Sequence, residues 1–516
     1  MAEPLRKTVK TLFEAGYQLE AEALTSLKKF SETLNPEELA QCLLEILRDR
    51  RVETPFVGTS LVEEAAERLR GKAAREALKA EPTGKPSFKP LAREYEAEVK
   101  VLRDPTAQLK SKGEIGSFLQ YFRDRFERLR KLLTQRLDCH DASTLAEALA
   151  SPQGSKTKFV CMVSDRISRG ARVFLRVEDL EASATVLVQP SAQSPKLIEK
   201  ASAILLDQVI CVSAVKFRED LFLAEDLLLP EVPQHKPATA DKPLAAILVS
   251  DLHVGSRIFE AELFKRFLSW LKGELGNKRL MEAAGRVKYL VIAGDLVDGV
   301  GVYPEQEREL ETPDIYKQYE QVARLLEQVP DRIQLIVIPG NHDACRRALP
   351  QPAISREYAE PLYRHEGLVS LGNPSLIQLH GVSFLLHHGR SLEDVLAGLP
   401  EANHEEPVKS MVALLKSRHL APVYGQRTPI APEPSDWLAI EEVPDFYHAG
   451  HIHIYGYTVY RGVRLVNSGC WQGRTSYQQR LGLSPTPGIA AFVDLQTANV
   501  TSLDFNSLIP SINLNL

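Results

Sequence analysis

Five short segments rich in Asp, His and Asn contain the residues of this chain that are best suited to chemistry. Each segment follows an apolar run that predicts a β-strand. The segments are Asp251-Leu-His253, Gly294-Asp295, Gly340-Asn341-His342-Asp343, His388-Gly389 and Gly450-His451-Ile-His453. A site for two divalent ions needs about seven or eight protein ligands, with one carboxylate shared between the ions. No single segment supplies that many, but the five together do, so they predict a two-metal hydrolase.

The first two segments offer carboxylate and imidazole ligands. Asp251 and His253 occupy alternate positions after AAILVS, so strand alternation would point both at one centre. Asp295 ends VKYLVIAG, where Gly294 permits close backbone approach, and a carboxylate there can bridge two ions about 3.5–4 Å apart. Asp298 follows closely and is expected to hydrogen-bond a ligand histidine. This ligand mixture favours Mn²⁺, Fe²⁺, Zn²⁺ or Mg²⁺ over a soft metal.

The third segment combines a candidate ligand with a candidate acid. Asn341 offers a neutral carbonyl oxygen to a metal, and the adjacent His342 would point elsewhere. A free imidazole there could stabilise or protonate a leaving oxygen, which makes His342 the candidate catalytic histidine. Asp343 could orient that imidazole.

The last two segments place histidines at the ends of two further strands. His387 and His388 would face opposite sides of a sheet, and His388 is favoured as the ligand because Gly389 follows it. His451 and His453 share a face by the same alternation, so each could take one metal. A single histidine among the 13 in the chain is more often structural, but suitable residues at five successive strand ends together favour metal binding.

The apolar runs that carry these segments predict a layered α/β domain. Strands AAILVSD, VKYLVIAGD and RIQLIVIPGNHD alternate with helices near 262–272 and 314–327. Such a βαβαβ order with buried strands gathers functional residues at the carboxyl ends of the strands. The later runs TVYRGVRLVNSG and GIAAFVDL are hairpin-like, so either a mixed sheet or two facing sheets are expected.

Upstream of this domain, five short strand-like runs lie between Lys158 and Glu225. Five strands in so short a segment are typical of a small closed barrel of the OB type. Such barrels often bind single strands through surface aromatics and cations, and Phe174 and Phe217 lie well inside this segment. A structural role for these two aromatics is at least equally favoured.

A long helix is predicted before the barrel. Its apolar face carries Phe118, Phe122, Phe126, Leu129 and Leu133. Its other face carries Arg123, Arg125, Arg128, Arg130 and Lys131. Solvated charges on a helix packed by its apolar face are favoured over a nucleic-acid contact.

Residues 5–77 predict helices with two amphipathic stripes. The stripes are Leu24, Leu27, Phe30 and Leu34, then Leu39, Leu43, Leu44 and Leu47. The segments EPTGKPSFKP and QHKPATADKP are predicted to be linkers. The expected domains are a helical module (1–78), a linker (79–106), a helix with the barrel (107–233), a second linker (234–243) and the α/β domain (244–516). The module could dock a partner, although an ordinary helical mini-domain is favoured.

Composition is that of a globular protein, with 44% hydrophobic and 25% charged residues. No signal-peptide pattern and no stretch of roughly 18–20 apolar residues is evident, so an intracellular protein is expected. The six cysteines lack CxxC spacing, which argues against a disulfide framework and a structural zinc site. The net charge is −5, so nucleic-acid binding would need local basic patches and metals.

The five segments resemble those of the calcineurin-like metallophosphoesterase superfamily over roughly residues 244–505. The resemblance implies a phosphoesterase domain of layered sheets flanked by helices, behind an OB-fold barrel and an N-terminal helical module. It implies that one metal is held by Asp251, His253, Asp295 and His453. It implies that the other is held by Asp295, Asn341, His388 and His451. His342 would be the catalytic histidine, and a hydroxide the nucleophile.

Longer stretches are similar to a narrower family, the small subunits of archaeal family D DNA polymerases. These stretches are SDLHVGS, AGDLVDGVGVYPEQ, PGNHDACRRALPQPA, HHGRSLEDV and HAGHIH. This resemblance implies a 3′→5′ exonuclease that proofreads DNA for a large catalytic subunit on another chain. It also implies two divalent ions, with Mn²⁺ first and Mg²⁺, Fe²⁺ or Zn²⁺ as alternatives.

The same resemblance implies the partners. They are the large subunit, single-stranded or mismatched DNA 3′ ends and, as a further candidate, a sliding clamp. The expected location is the cytoplasm, at the nucleoid, and no membrane partner is expected. Candidate contacts to the DNA backbone are Arg346, Arg347 and Arg390, for which structural ion pairs are an equal alternative.

Two rival functions stay open: a structural subunit that holds the large subunit and the clamp, and a free-standing phosphoesterase. The full ligand set favours an active enzyme. The barrel and the YPEQ segment at 303–306 favour a polymerase subunit.

Overall fold

The computed structural model describes residues 3–30, 36–49, 56–59, 61–66, 68, 88–111, 113–190 and 195–507. The chain divides into two compact units, Met1–Ser87 and Phe88–Leu516. Among the described residues, no helix has the length and apolar character needed to cross a bilayer.

The described part of the first unit is mainly helical. Its elements include α1 (Glu3–Glu14), β1 (Gln18–Leu19), α2 (Ala21–Phe30), α3 (Pro36–Asp49) and β2 (Phe56–Val57). The predicted stripes supply a core in which Leu27, Leu39, Leu43 and Leu47 are buried. Leu34 lies outside the described residues. β1 and β2 pair in parallel, which the helical prediction for 5–77 missed because each strand is only two residues long.

The prediction of a linker over 79–106 is wrong for part of that range. A 3-10 helix occupies Leu91–Glu94, and β3 (Val99–Arg103) forms antiparallel pairs with a strand at Ser375–Leu379. β3 is a short, half-exposed edge strand, so its sequence has no apolar run to reveal it. Residues 79–87 lie outside the described part of the chain.

The middle of the chain forms a closed five-stranded barrel. The helices around it are α4 (Ile115–Thr134), α5 (Leu145–Ala150) and α6 (Leu197–Ser202). The strands are β4 (Lys156–Arg169), β5 (Arg172–Glu178), β6 (Ser183–Val188), β7 (Val209–Lys216) and β8 (Leu221–Leu228), in the order β4-β5-β6-β8-β7. Phe159 and Phe222 fill the interior, with ring centroids 4.9 Å apart. Assignment of this barrel to the OB type stays a prediction.

α4 buries its apolar face, but the prediction that its cations are solvated is wrong for Arg125. The Arg125 side chain is fully buried, and its Nε donates to Oδ2 of Asp436 at 3.2 Å. Its two terminal nitrogens donate to the carbonyl of Pro422 at 2.7 Å and to the hydroxyl of Tyr121 at 2.7 Å. Arg125 therefore anchors α4 against the α/β domain.

The α/β domain contains two six-stranded sheets, and each is mixed, so both expected features are present. The first sheet consists of β12 (Leu368–Ser370), β11 (Gln334–Ile338), β10 (Val287–Ala293), β9 (Ala245–Val249), β18 (Ile489–Asp494) and β19 (Val500–Asp504), in that order. The second consists of β16 (Gly456–Tyr460), β17 (Val463–Asn467), β15 (Phe446–Ala449), β14 (Val382–Leu386), β13 (Ser375–Leu379) and β3.

Helices flank these sheets, as the layered α/β prediction requires. They are α7 (Ala261–Leu271), α8 (Lys278–Arg286), α9 (Ile315–Leu326), α10 (Arg356–Ala359), α11 (Leu392–Gly398), α12 (Pro407–Ser417) and α13 (Ser476–Arg480). Short 3-10 helices lie at Thr106–Gln108, Gln306–Arg308 and Leu362–Arg364. Asp314 caps the N-terminus of α9, and its carboxylate accepts from the N–H groups of Tyr316 and Lys317.

Apolar packing orders the layers. The inner faces of the two sheets share one core, in which Leu248 and Val291 join Phe384 and Phe446. The outer face of the first sheet packs against α7 and α9, and that of the second against α11, α12 and α4. The carboxyl ends of β9, β10, β11, β14 and β15 meet at one edge of this sandwich. The five polar segments begin there.

Candidate metal centre

The candidate ligands lie just beyond the strand ends, and five of the seven adopt left-handed backbone conformations. Positive φ angles between 51° and 70° occur at Asp251, His253, Asp295, His451 and His453. Such angles are rare for residues other than glycine and are typical of functional sites, where surrounding contacts hold the strain. Strand alternation therefore does not orient these side chains, but the predicted outcome holds: Asp251 and His253 face one centre, and His451 and His453 belong to different groups.

Asp251, His253 and His453 form one group of buried ligand atoms. Nε2 of His253 lies 3.8 Å from Oδ1 of Asp251 and 3.1 Å from Nε2 of His453. Nε2 of His453 lies 3.4 Å from Oδ1 of Asp251. Among the described residues that oxygen has no hydrogen-bond partner, whereas Oδ2 of Asp251 accepts from Oγ of Ser250 and from the N–H of His451.

Asp295, His388 and His451 form the second group. Nε2 of His388 lies 3.2 Å from Oδ2 of Asp295 and 3.1 Å from Oδ1 of Asn341. The same Asp295 oxygen lies 3.7 Å from Nε2 of His253, which belongs to the first group. The Asp295 carboxylate therefore stands between the two groups.

Two of the histidines are oriented through their other ring nitrogen. Nδ1 of His253 donates to Oδ1 of Asp298 at 3.0 Å, which agrees with the contact predicted for Asp298. Nδ1 of His388 donates to the carbonyl oxygen of Ala293 at 2.8 Å. In a neutral ring these bonds leave Nε2 without a proton and facing the other ligand atoms.

Three glutamines support the centre, and none was predicted to do so. Nε2 of Gln306 donates to the carbonyl oxygen of Asp298 at 2.7 Å, and Nε2 of Gln472 donates to its Oδ1 at 3.0 Å. Nε2 of Gln478 lies 3.2 Å from Nδ1 of His453. Gln306 belongs to the YPEQ segment noted above. Gln472 and Gln478 follow β17 in a segment without a motif, so only the fold brings them to the site.

His342 lies beside the first group. Its ring centroid is 4.6 Å from that of His253, and its Nδ1 donates to the carbonyl oxygen of Asp298 at 2.7 Å. Side-chain ligand atoms of His253, Asp298 and His342 also lie close together and form a third group. The expectation that Asp343 orients His342 is wrong, because the buried Asp343 carboxylate turns the other way. It accepts from the N–H groups of Leu296 and Gly340 and from the hydroxyl of Tyr319.

The neighbouring histidines His387 and His448 lie outside both groups. Nδ1 of His387 lies 3.1 Å from the hydroxyl of Tyr447, and Nε2 of His448 lies 2.6 Å from Oγ of Ser468. Burial lowers the pKa of each to about 3, so both rings are neutral. This placement agrees with the choice of His388 over His387.

The centre attracts positive charge. Burial disfavours the charged form of His253, but Asp251 and Asp298 raise its pKa to about 10. Burial likewise opposes charge on His388, and Asp295 raises its pKa to about 9. Burial lowers the pKa of His342. Cations and protons therefore compete for the same buried atoms.

A cleft of about 540 Å³ opens beside His342. Its apolar lining includes Val300, Val302, Ile315 and Tyr358. Arg346 and Arg347 line the polar side, but Nη1 of Arg346 is paired with the buried Glu433 at 2.7 Å. Arg346 is therefore structural. Arg347 is exposed, and Nη1 of Arg390 donates to its carbonyl oxygen at 3.4 Å.

Comparison with known proteins identifies relatives of this chain among DNA polymerase subunits. The family of the DNA polymerase alpha/epsilon B subunits matches residues 246–455. The chain is 41% identical over 400 residues to the DNA polymerase II small subunit of Pyrococcus furiosus, covering 76% of this chain and 65% of that protein. It is 40% identical over 393 residues to the DNA polymerase II small subunit of Archaeoglobus fulgidus, covering 76% of this chain and 78% of that protein.

Among solved structures, a conserved Streptococcus pneumoniae protein described as a predicted phosphoesterase aligns with a TM-score of 0.24 and 14% identity. The alignment covers 53% of this chain and 94% of that one. The family assignment rests on the sequence relatives, because the match to the Archaeoglobus protein extends over most of both chains. The chain belongs to the small-subunit family of archaeal DNA polymerase II, the family D DNA polymerase.

Proposed function

We propose that this small subunit is a two-metal 3′→5′ exonuclease that proofreads DNA by hydrolysing its terminal phosphodiester. The observation that carries the proposal is the position of Asp295. Its Oδ2 lies 3.7 Å from Nε2 of His253 and 3.2 Å from Nε2 of His388. One carboxylate between two groups of imidazole and carboxylate ligands is what a two-metal phosphodiesterase requires.

The donor set fits two divalent ions. Oδ1 of Asp251 is buried and has no hydrogen-bond partner among the described residues, and two imidazole nitrogens face each other at 3.1 Å beside it. A cation would satisfy all three atoms. The first ion would be held by Asp251, His253, Asp295 and His453, and the second by Asp295, Asn341, His388 and His451. Mn²⁺ suits this ligand mixture, as do Mg²⁺, Fe²⁺ and Zn²⁺. Two such ions would neutralise the phosphodiester and lower the pKa of an attacking water.

His342 is the proposed acid. Its Nδ1 is held by the carbonyl oxygen of Asp298 at 2.7 Å, so Nε2 is the atom that can carry a proton to the leaving 3′-oxygen. Burial lowers the pKa of this ring, which makes the proton on a charged His342 easier to release. Asp343 does not orient the His342 ring. Its carboxylate accepts from the N–H of Gly340 and so stabilises the loop that carries His342.

The cleft beside His342 is the proposed site for the terminal nucleotide. Its apolar lining, which includes Val302, Ile315 and Tyr358, suits an unpaired base. The exposed Arg347 can contact a backbone phosphate. A frayed or mismatched 3′ end supplies such a base more readily than a paired end.

DNA synthesis is assigned to a large catalytic subunit on another chain. This chain would provide the nuclease site of the complex. DNA is the substrate, the nucleoid is the place of action, and a sliding clamp is a further proposed partner. The barrel is proposed to be of the OB type because its five strands close in the order β4-β5-β6-β8-β7.

The deciding experiment supplies Mn²⁺ and a primer with a 3′ mismatch to the complex with the large subunit. Wild type should shorten the primer stepwise, and His342→Ala should slow this by about 10²–10⁴-fold with unchanged metal content. His140→Ala, an exposed histidine, is the matched control and should behave as wild type. Unchanged shortening by His342→Ala would reject the assigned acid. No shortening by the wild-type complex would favour the purely structural role.

A further inference from the structure

An apolar row crosses four neighbouring strands on the outside of the barrel. Ile167 is opposite Phe174 across β4 and β5, Phe174 is opposite Leu187 across β5 and β6, and Leu187 is opposite Leu223 across β6 and β8. Residues opposite each other in a sheet share a face. Leu175 is fully buried inside the barrel, so its neighbour Phe174 and the whole row face outward.

Arginines border this row. Arg172 and Arg176 lie two residues to either side of Phe174, so all three share the outer face of β5. The guanidinium of Arg169, at the end of β4, lies 6.0 Å from the centroid of the Phe174 ring. All three arginines are exposed.

The turn between β7 and β8 repeats this pairing of an arginine with an aromatic ring. The guanidinium of Arg218 lies 5.4 Å from the centroid of the Phe217 ring, and the Phe217 side chain is 41% exposed. Phe174 and Phe217 therefore lie on the outside of the barrel, where cation–π contacts leave one ring face open to a ligand.

The guanidinium groups of this surface form no ion pairs within the described part of the chain. There, no ion pair and no side-chain hydrogen bond involves the guanidinium of Arg169, Arg172, Arg176 or Arg218. Asp165 is opposite Arg176 in register, but its carboxylate accepts from the N–H of Arg166. The Arg166 guanidinium, by contrast, donates to the carbonyl oxygens of Ser202 and Ile204.

We propose that this outer face of the barrel binds single-stranded DNA. Phe174 and the apolar row would stack the bases, and the four arginines would contact phosphates. The chain carries a net charge of −5, so four exposed arginines without ion pairs among the described residues are a local feature that favours a polyanion.

The position of these residues also suits a nucleic acid. Five-stranded OB barrels bind oligonucleotides across strands two and three and at the loops after strands one and four. Those places correspond here to β5, β6, the turn before Arg172 and the turn that carries Phe217. The inference goes beyond the exonuclease, because it needs neither metal nor cleavage.

Binding of a fluorescent oligothymidylate of about 16 nucleotides tests this proposal. The full chain is titrated in EDTA, where no hydrolysis occurs, at several salt concentrations. Arg176→Gln should weaken binding several-fold and reduce the slope of log affinity against log salt by about 0.7. Phe174→Ala should weaken binding about tenfold. The matched control Arg279→Gln removes an exposed arginine of α8 and should change neither quantity.

Arg176 and Phe174 are at least partly exposed, and unchanged melting temperatures would show that both variants fold. Wild-type affinity and salt slope in both variants would overturn the proposal. It would also be overturned if the variants lost the large subunit on co-purification while oligonucleotide binding stayed intact, because the face would then be a protein interface. The EDTA titration involves no hydrolysis, whereas primer shortening in Mn²⁺ measures the nuclease alone, so failure of the nuclease proposal is distinguishable from failure of this one.

Discussion

Nδ1 of His253 donates to Oδ1 of Asp298 at 3.0 Å, and this bond joins the candidate metal centre to a buried polar network. The same carboxylate accepts from Nε2 of Gln472 at 3.0 Å and from Nε2 of Gln306 at 3.2 Å. Asp298 therefore sets the orientation of His253 although it stands behind the ligand groups. Asp298 is a positioning residue, because its hydrogen bond fixes the His253 ring so that Nε2 points in a single direction.

Asp298→Ala should weaken Mn²⁺ binding by about 10–100-fold, because the His253 ring loses the partner that orients it. Titration of nuclease activity with Mn²⁺ measures this effect, and activity should return at high Mn²⁺. Asp331→Ala removes an exposed carboxylate and serves as the control. A variant that stays inactive at saturating Mn²⁺ would contradict a purely positioning role.

His388→Ala should lower the bound metal from two ions to one per chain, because its Nε2 belongs to the second ligand group. His387→Ala provides a control at the adjacent position, since that ring contacts Tyr447 and lies outside both groups. It should keep two ions and lose only stability. Metal analysis of the dialysed proteins checks both outcomes, and equal metal content in the two variants would contradict the assignment.

Arg125→Ala should destabilise the protein by about 3–5 kcal/mol, because it leaves the buried carboxylate of Asp436 without its cation. Denaturant unfolding measures the free-energy difference. Arg123→Ala, on the exposed side of the same helix, should change it by less than about 0.5 kcal/mol. Similar losses of unfolding free energy in the two variants would show that the buried ion pair of Arg125 and Asp436 contributes no more to stability than an exposed arginine.

Acid should destabilise the protein partly through His419. Burial and then Arg125 lower the pKa of this ring, while its Nε2 donates to Oδ2 of Asp436 at 2.7 Å and its Nδ1 accepts from the N–H of Ala421. The unfolded chain takes up a proton at the ordinary pKa of about 6.5, so this part of the stability is complete above that pH and is lost as the pH falls below it.

His419→Gln keeps a donor for Asp436 and removes this titration. Between about pH 7.5 and pH 5.5 the unfolding free energy of wild type should therefore fall more steeply than that of the variant, by at most about 1.4 kcal/mol per pH unit. Chemical unfolding across this range provides the measurement. Parallel pH profiles would contradict the expectation.

Much of the fold could be predicted because its strands are local apolar runs. β9, β10 and β11 are buried on both faces, so each is a continuous hydrophobic segment that ends at a polar motif. The edge strand β3 escaped prediction because its backbone pairing with β13, far away in sequence, decides its structure. The same dependence on distant partners hid the burial of Arg125, whose counter-ion is Asp436.

The sequence by itself determined which residues could hold metals, because residue type and position after a strand are local properties. Only the tertiary structure decided how these candidate ligands are divided between two groups and which side chains orient them. It placed Asp295 between the two groups, turned Asp343 away from His342 and brought Gln472 to Asp298. It also put Phe174 on the outside of the barrel. These outcomes depend on contacts between segments far apart in the chain, which no local pattern encodes.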